Sequence, residues 1–181
     1  MHSTTIERLQ TANITRQKEW DVNSDIDLSY RGNELAGEVG EACNIMKKLD
    51  RERLGIRGSR SNKNELADEL ADVVICSSLI ANAVGIDLAE EYGFGSFPIF
   101  NNTDVSLSRR GNALAIKTGL VCDLLSAEEL RSFSVAKLGV ALANLCKLVS
   151  VIGKSEDIDM DLAVTAKFNA TTRKVDLTTF M

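Results

Sequence analysis

Two acidic stretches separated by a basic loop constrain this chain more than any other feature. Glu34, Glu38 and Glu41 share their spacing with Glu65, Glu69 and Asp72: a second acid four residues after the first, a third three residues later. At about 100° per residue, a helix gathers such a triplet into a stripe roughly 60° wide. Acids at these spacings are common on solvated helix faces, but the neighbours here argue for packing. Leu35, Val39, Ala42 and Met46 form an apolar stripe beside the first triplet, and Asp72 leads into Val73, Val74, Ile75 and Cys76, then Leu79 and Ile80. Carboxylates crowded on packed helices must take up protons or bind a cation. Oxygen ligands without a neighbouring histidine suit Mg²⁺, with Mn²⁺ as a substitute, rather than zinc.

Helical periodicity extends over most of the chain. Helices are expected over residues 3–20, capped by Ser3 or Thr4, over 27–50, and over 62–84 ending at Gly85, with a short helix from Asp87. Between the acidic helices lies a Gly-punctuated basic loop containing Lys47, Lys48, Arg51, Arg53, Arg57 and Arg60. Residues 93–105, with the single proline Pro98, read as a linker. The class is all-α, and 181 residues are enough for one sizeable core.

Beyond the linker comes a second copy of the first acidic helix. Residues 27–44 align without gaps to 106–123, and nine of the eighteen positions are identical, including Arg31/Arg110, Gly32/Gly111, Gly40/Gly119 and Cys43/Cys122. The second acidic helix repeats more weakly, with Leu70, Ala71 and Asp72 against Leu142, Ala143 and Asn144, and Asp87-Leu88-Ala89 echoes Asp161-Leu162-Ala163. The copy keeps packing residues and loses the acids. Glu34, Glu38 and Glu41 become Ala113, Lys117 and Leu120, while Glu65, Glu69 and Asp72 become Lys137, Ala141 and Asn144. Solubility alone gives no reason for all six to vanish, so the acids are read as one site in the first half, with Lys117 as a positive charge near it. The expected organisation is a bundle of two tandem helical hairpins, a single-chain pseudo-dimer: residues 1–92 carry the site, and 106–181 form a degenerate repeat packed with them as one domain.

Several classes are disfavoured. The net charge of −5 does not suggest a general nucleic-acid binder. No uninterrupted apolar run reaches about 18 residues and the N-terminus lacks signal-peptide character, so a cytoplasmic location without membrane association is expected. Cys43, Cys76, Cys122 and Cys146 lack CxxC spacing and read as buried reduced thiols. His2, the sole histidine, sits in an expected frayed terminus, which argues against Ser-His and Cys-His catalysis.

Glu38-Val-Gly-Glu41 and Glu69-Leu-Ala-Asp72, about thirty residues apart on consecutive helices, resemble the paired ExxE…ExxD motif of the MazG-like all-α nucleoside triphosphate pyrophosphatases. That superfamily includes dimeric dUTPases and dCTP pyrophosphatases. The resemblance covers residues 20–88 and resumes near 163–177. It implies Mg²⁺-dependent cleavage of a (d)NTP between the α and β phosphates, with Glu38, Glu41, Glu69 and Asp72 holding the metal. Many members carry a further acid immediately before the first Glu, where this chain has Gly37.

The residues accommodate that chemistry. Triphosphate hydrolysis needs cations on the phosphate oxygens and a positioned water, and Glu38 is assigned as the carboxylate that activates it. Lys48 projects beside the acidic stripe, and with Arg51 and Lys167 is expected to grip the β and γ phosphates. Trp20 is a candidate for stacking on the base, with Gln17 and Asn169 for base or sugar contacts. The base itself is left open, as is the choice between a monomeric pseudo-dimer and a homodimer. A nucleotide- or metal-binding regulatory module without turnover is the main alternative, and a purely structural bundle the other.

Overall fold

The computed structural model describes residues 1–23, 25–95, 106–126 and 134–181, so residues 96–105 of the expected linker lie outside the described residues. Seven helices and no strand occur among them: α1 Ser3–Trp20, α2 Leu28–Arg53, α3 Lys63–Ala83, α4 Leu88–Gly93, α5 Leu107–Ser126, α6 Val135–Ser155 and α7 Met160–Lys174. The all-α bundle expected from periodicity is observed. Its local signals are mostly in place. Asp27, Asn62, Asp87 and Ser134 cap α2, α3, α4 and α6 by accepting a backbone N–H three residues on. Gly85, after α3, takes a φ of +71°, which glycine adopts without strain.

The α1 start differs from expectation. His2 occupies the N-cap position with no side-chain cap bond, and Ser3 is already helical. Nor is His2 adrift: its backbone N–H and its ring Nδ1 meet the two oxygens of Asp161 at 2.8 and 2.9 Å, tying the chain start to α7. Gln10 locks α1 further, donating to Asn82 Oδ1 and the Ile86 carbonyl while its own carbonyl oxygen accepts the N–H groups of Leu88 and Ala89 at the start of α4.

The centre of the bundle is the antiparallel contact of α2 with α5. It is close because glycines lie in it. A Cβ at Gly32 would meet Leu125 Cδ1 at 3.1 Å, and one at Gly111 would meet Met46 Sδ at 3.3 Å and Cys43 Sγ at 3.4 Å. The contact is reciprocal: Cys43 Sγ approaches the Gly111 carbonyl at 3.4 Å, and Cys122 Sγ the Gly32 carbonyl at 3.6 Å. These are pairs that the sequence alignment equates. The short helices exchange in the same manner, α4 packing on α6 and α7 on α3. Both halves contribute to one continuous core in which Leu35, Leu70, Leu114, Leu142 and Phe168 are fully buried.

Helix α6 is long and apolar enough to cross a membrane by length and hydropathy, although no uninterrupted apolar run was expected to reach that length. Two-thirds of its apolar window is buried inside the protein, which is how a core helix satisfies the same test. The four cysteines are free, with Cys76 and Cys146 buried and Cys43 and Cys122 half-buried.

The tight α2–α5 seam generates a stability prediction. Gly111→Val adds methyls where a single Cβ already touches two sulfur atoms, and overpacking of this kind costs about 1–3 kcal/mol. A urea midpoint lowered accordingly is expected, while Gly37→Ala, in open space, leaves the midpoint level or raises it.

Candidate functional site

The burial of Leu35, Val39 and Ala42 on α2, and of Leu66, Leu70 and Val73 on α3, fixes the rotation of both helices. Their acids are thereby left along one edge of the α2–α3 seam. Glu38, Glu41 and Glu69 each bring one carboxylate oxygen within 4.8 Å of the other two. Oxygens around an octahedral Mg²⁺ lie roughly 3.0 Å apart when adjacent and roughly 4.2 Å when opposite, given bonds of about 2.1 Å, so these side chains would draw inward to share one ion. Asp72 sits one turn further along α3 and pairs with Lys167 of α7, Nζ to Oδ2, at 2.7 Å.

The outermost acids do other work. Glu34 accepts a 2.8 Å bond from Arg31. Glu65 belongs to the start of α3, where its N–H donates to Asn62 Oδ1 and its carboxylate accepts from Asn62 Nδ2, both at 3.0 Å. The two equally spaced triplets of the sequence are thus divided between four clustered acids and two with local structural partners.

Crowding shows in the electrostatics. Glu38 is pushed from its ordinary 4.5 up to about 7, first by burial and then by the charges of Asp72, Glu41 and Glu69. Burial also raises Glu69 and Asp72. Burial pulls Lys167 down, but the Asp72 carboxylate outweighs it and the lysine ends above its ordinary value.

A cavity of about 440 Å³ opens beside the acids, lined by Glu38, Asp72 and Lys167 and also by Asn13, Arg16, Gln17, Trp20, Tyr30, Arg31 and Glu34. Trp20 and Tyr30 remain half-exposed. Arg16 is the least expected of these residues. It is buried, its guanidinium lies 3.5 Å over the Phe168 ring, and it donates to the Phe168 carbonyl, Thr172 Oγ1 and Asn13 Oδ1. Burial lowers its pKa to about 10, so it stays cationic at neutral pH. Neither Arg16 nor Arg31 stood out in the sequence, because their burial is created by helices distant along the chain. The one available signal was the lengthwise repeat of Arg31 at Arg110, which is also 6% exposed.

Among the residues singled out from sequence, Gln17, Trp20, Glu38, Asp72 and Lys167 line this cavity, and Glu41 and Glu69 join Glu38 in the carboxylate cluster. Lys48 and Arg51 do not line it. Arg51 donates to the carbonyl and hydroxyl of Ser59 and so holds the α2–α3 loop. Asn169 is also placed elsewhere: its amide donates to the Met181 carbonyl and accepts the Met181 N–H, fastening the C-terminal residue. Lys117 of α5 is not among the cavity-lining residues either. A larger cavity of about 700 Å³, bounded by Met1, Lys154 and Met160 among others, shares no residue with the carboxylate cluster.

The raised pKa of Glu38 sets the sign of a pH effect. The folded protein holds this proton more tightly than the unfolded chain, so the associated stabilisation is present below about pH 4.5 and is lost as pH rises towards 7. In EDTA, the melting temperature is expected to fall between pH 5 and pH 8, with a shallower fall in Glu38→Gln. Addition of Mg²⁺ at pH 8 is expected to recover the loss, by binding the folded state.

Comparison of the chain with protein-family models, with curated proteins and with solved structures finds no match.

Proposed function

We propose that this chain is a Mg²⁺-dependent (d)NTP pyrophosphohydrolase, cleaving between the α and β phosphates to give a (d)NMP and pyrophosphate and acting on nucleotide pools. The observation that carries this reading is a cluster of three carboxylates, one of which, Glu38, lines a cavity also bounded by two half-exposed aromatics and two buried arginines. The donors fit a hard divalent ion: oxygen atoms alone, on two packed helices, one from each side chain within 4.8 Å of the other two. Glu41 and Glu69, with Glu38 and Asp72, would hold the metal, which when bound supplies Lewis-acid neutralisation of the phosphate oxygens.

The remaining chemistry falls to side chains. Glu38, raised to about 7 before any ion binds, is deprotonated as the ion's charge arrives, and an oxygen not engaged by the ion can accept a proton from water. Lys167 holds Asp72 by a single ion pair from a neighbouring helix. If Asp72 turns to a metal, the ammonium is freed beside the site and becomes a phosphate partner. Trp20 and Tyr30 offer ring faces for a base. Lys48 retains a phosphate role only at the far end of the acidic stripe, two turns beyond Glu41, since it lies outside the cavity.

The repeat relation enters here as well. The reciprocal Cys–Gly contacts and the exchange of α4 and α7 support a duplicated ancestor, with the second half standing in for a partner subunit.

Pyrophosphate release from a panel of canonical and modified NTPs and dNTPs tests the reading. Turnover with Mg²⁺, none with EDTA, and a loss of at least about 100-fold in Glu69→Ala are expected. Lys167→Met should raise KM for the nucleotide while tightening Mg²⁺ binding measured by calorimetry, because a competing cation has gone from Asp72. Nucleotide binding with no turnover in any condition would instead assign a regulatory binding module.

A further inference from the structure

The wall that α1 gives this cavity carries an orphan. Gln17 Nε2 is shielded from solvent and has no hydrogen-bond partner among the described residues. Its orientation is fixed by its neighbours. Arg31 Nη2 donates to Gln17 Oε1 at 2.6 Å, and Arg31 Nη1 is anchored by Glu34 at 2.8 Å. Flipping the amide would set two N–H donors against each other, so the carbonyl oxygen must face Arg31 and the amino group must face away from it. A buried donor left unmade costs about 1–3 kcal/mol, and a cavity lined by the same residue offers a place for its acceptor.

Nearby groups share this polarity. Arg16 presents a second buried cation, while the acceptors Asn13 Oδ1 and Glu34 Oε2 are already engaged by Arg16 and Arg31. In this part of the cavity the Gln17 amide is the donor left to give, beside two acceptor side chains that each already hold a guanidinium. Its distance from the acids suits a nucleoside. Arg31 precedes Glu38 by two helical turns, roughly 10 Å at 1.5 Å per residue, close to the reach from an α phosphate to the far edge of a base. With the triphosphate at Glu38, Glu41 and Glu69, the edge arriving at Gln17 is the one remote from the sugar. There uracil, thymine and guanine carry a carbonyl oxygen, and cytosine and adenine an amino group.

We infer that Gln17, held by the Arg31–Glu34 pair, is a specificity-determining residue that selects nucleotides with a keto group at the base edge remote from the sugar. The inference rests on the proposed nucleotide reading of this site. An amino-bearing base would set its N–H group against the Gln17 amide and leave both donors unpaired, the arrangement by which polar sites reject a wrong substrate most strongly.

Calorimetry with α,β-imido triphosphates in Mg²⁺ tests this, comparing deoxyuridine with deoxycytidine and deoxyguanosine with deoxyadenosine analogues. In the wild-type protein, the keto member of each pair is expected to bind at least about tenfold more tightly. Gln17→Glu keeps an oxygen for Arg31 and turns a second one to the base, so the preference should move towards the amino members. Gln17→Leu, checked for folding by circular dichroism, should abolish the preference, the keto member falling to the affinity of the amino member. Equal affinity for keto and amino members in the wild-type protein, or an unchanged ratio in both variants, overturns the inference and leaves the nucleotide reading standing. Failure of every analogue to bind overturns both.

Discussion

Like-charge crowding at the α2–α3 seam is the constraint around which this molecule is arranged. Three carboxylate oxygens lie within 4.8 Å of each other, a separation at which ionised groups repel strongly in a partly buried setting. The apolar faces of α2 and α3 hold them there: Leu35, Leu66, Leu70 and Val73 are fully buried, and each helix would have to roll out of the core to part its acids. Two compensations are visible without any bound ion. Glu38 shifts towards its protonated form, and Lys167 reaches across from α7 to neutralise Asp72. Such an arrangement is costly for a structural element, and replacing the acids by apolar or neutral residues would relieve it. The aligned positions Ala113, Leu120 and Ala141 of the second half show that these helices pack without acids.

The rigidity behind the cluster comes from elsewhere. Helix α2 is clamped on its other side by α5, through glycines at Gly32 and Gly111 that bring the two backbones together. Asp50 near the end of α2 accepts the Ser108 N–H at 2.6 Å and so secures the start of α5. Glu38 and Glu41 therefore stand on a helix supported from two directions. A site that must keep several like charges within a few tenths of an ångström gains from that support more than from any added contact inside it.

The properties of this fold that can be read from sequence divide along a physical line. Helix positions, the acidic stripe and the repeated packing residues are local or periodic properties, and the structure carries the helices close to where periodicity sets them. Roles that depend on long-range geometry were harder to read. Lys48 falls on the correct helical face, yet the cavity lies along α2 in the opposite direction, towards Arg31. Arg51 has the composition of a phosphate ligand, but Ser59 in the following loop takes its donors. Asn169 lies in a segment rich in polar residues and turns to Met181, a contact that only the path of the C-terminal residues creates. Arg16 passes unnoticed for the converse reason: its cavity exists because α7, more than 150 residues later, brings Phe168 beneath it. The acidic pattern was legible because repulsion is built into its spacing, whereas a cation's partner is chosen by tertiary structure.

The asymmetry between the halves then acquires a mechanical sense. Lys167 reaches Asp72 from the second half of the chain, and Phe168, beside it, supports Arg16 in the first. Helix α7 thus contributes to the cavity that the acids of α2 and α3 define, although it comes after the acid-free hairpin in sequence. Because α4 sits on α6 and α7 on α3, each half covers the hairpin of the other. A second acidic cluster in the α5–α6 hairpin would find no equivalent partner from α4: counting back from Phe94, which echoes Phe168, the position matching Lys167 is Gly93. Without that counter-ion, carboxylates at Lys117, Leu120 and Asn144 would repel one another with less to offset the cost. The absence of acids at Lys117, Leu120 and Asn144 and the presence of Lys167 facing Asp72 are two sides of a single electrostatic requirement.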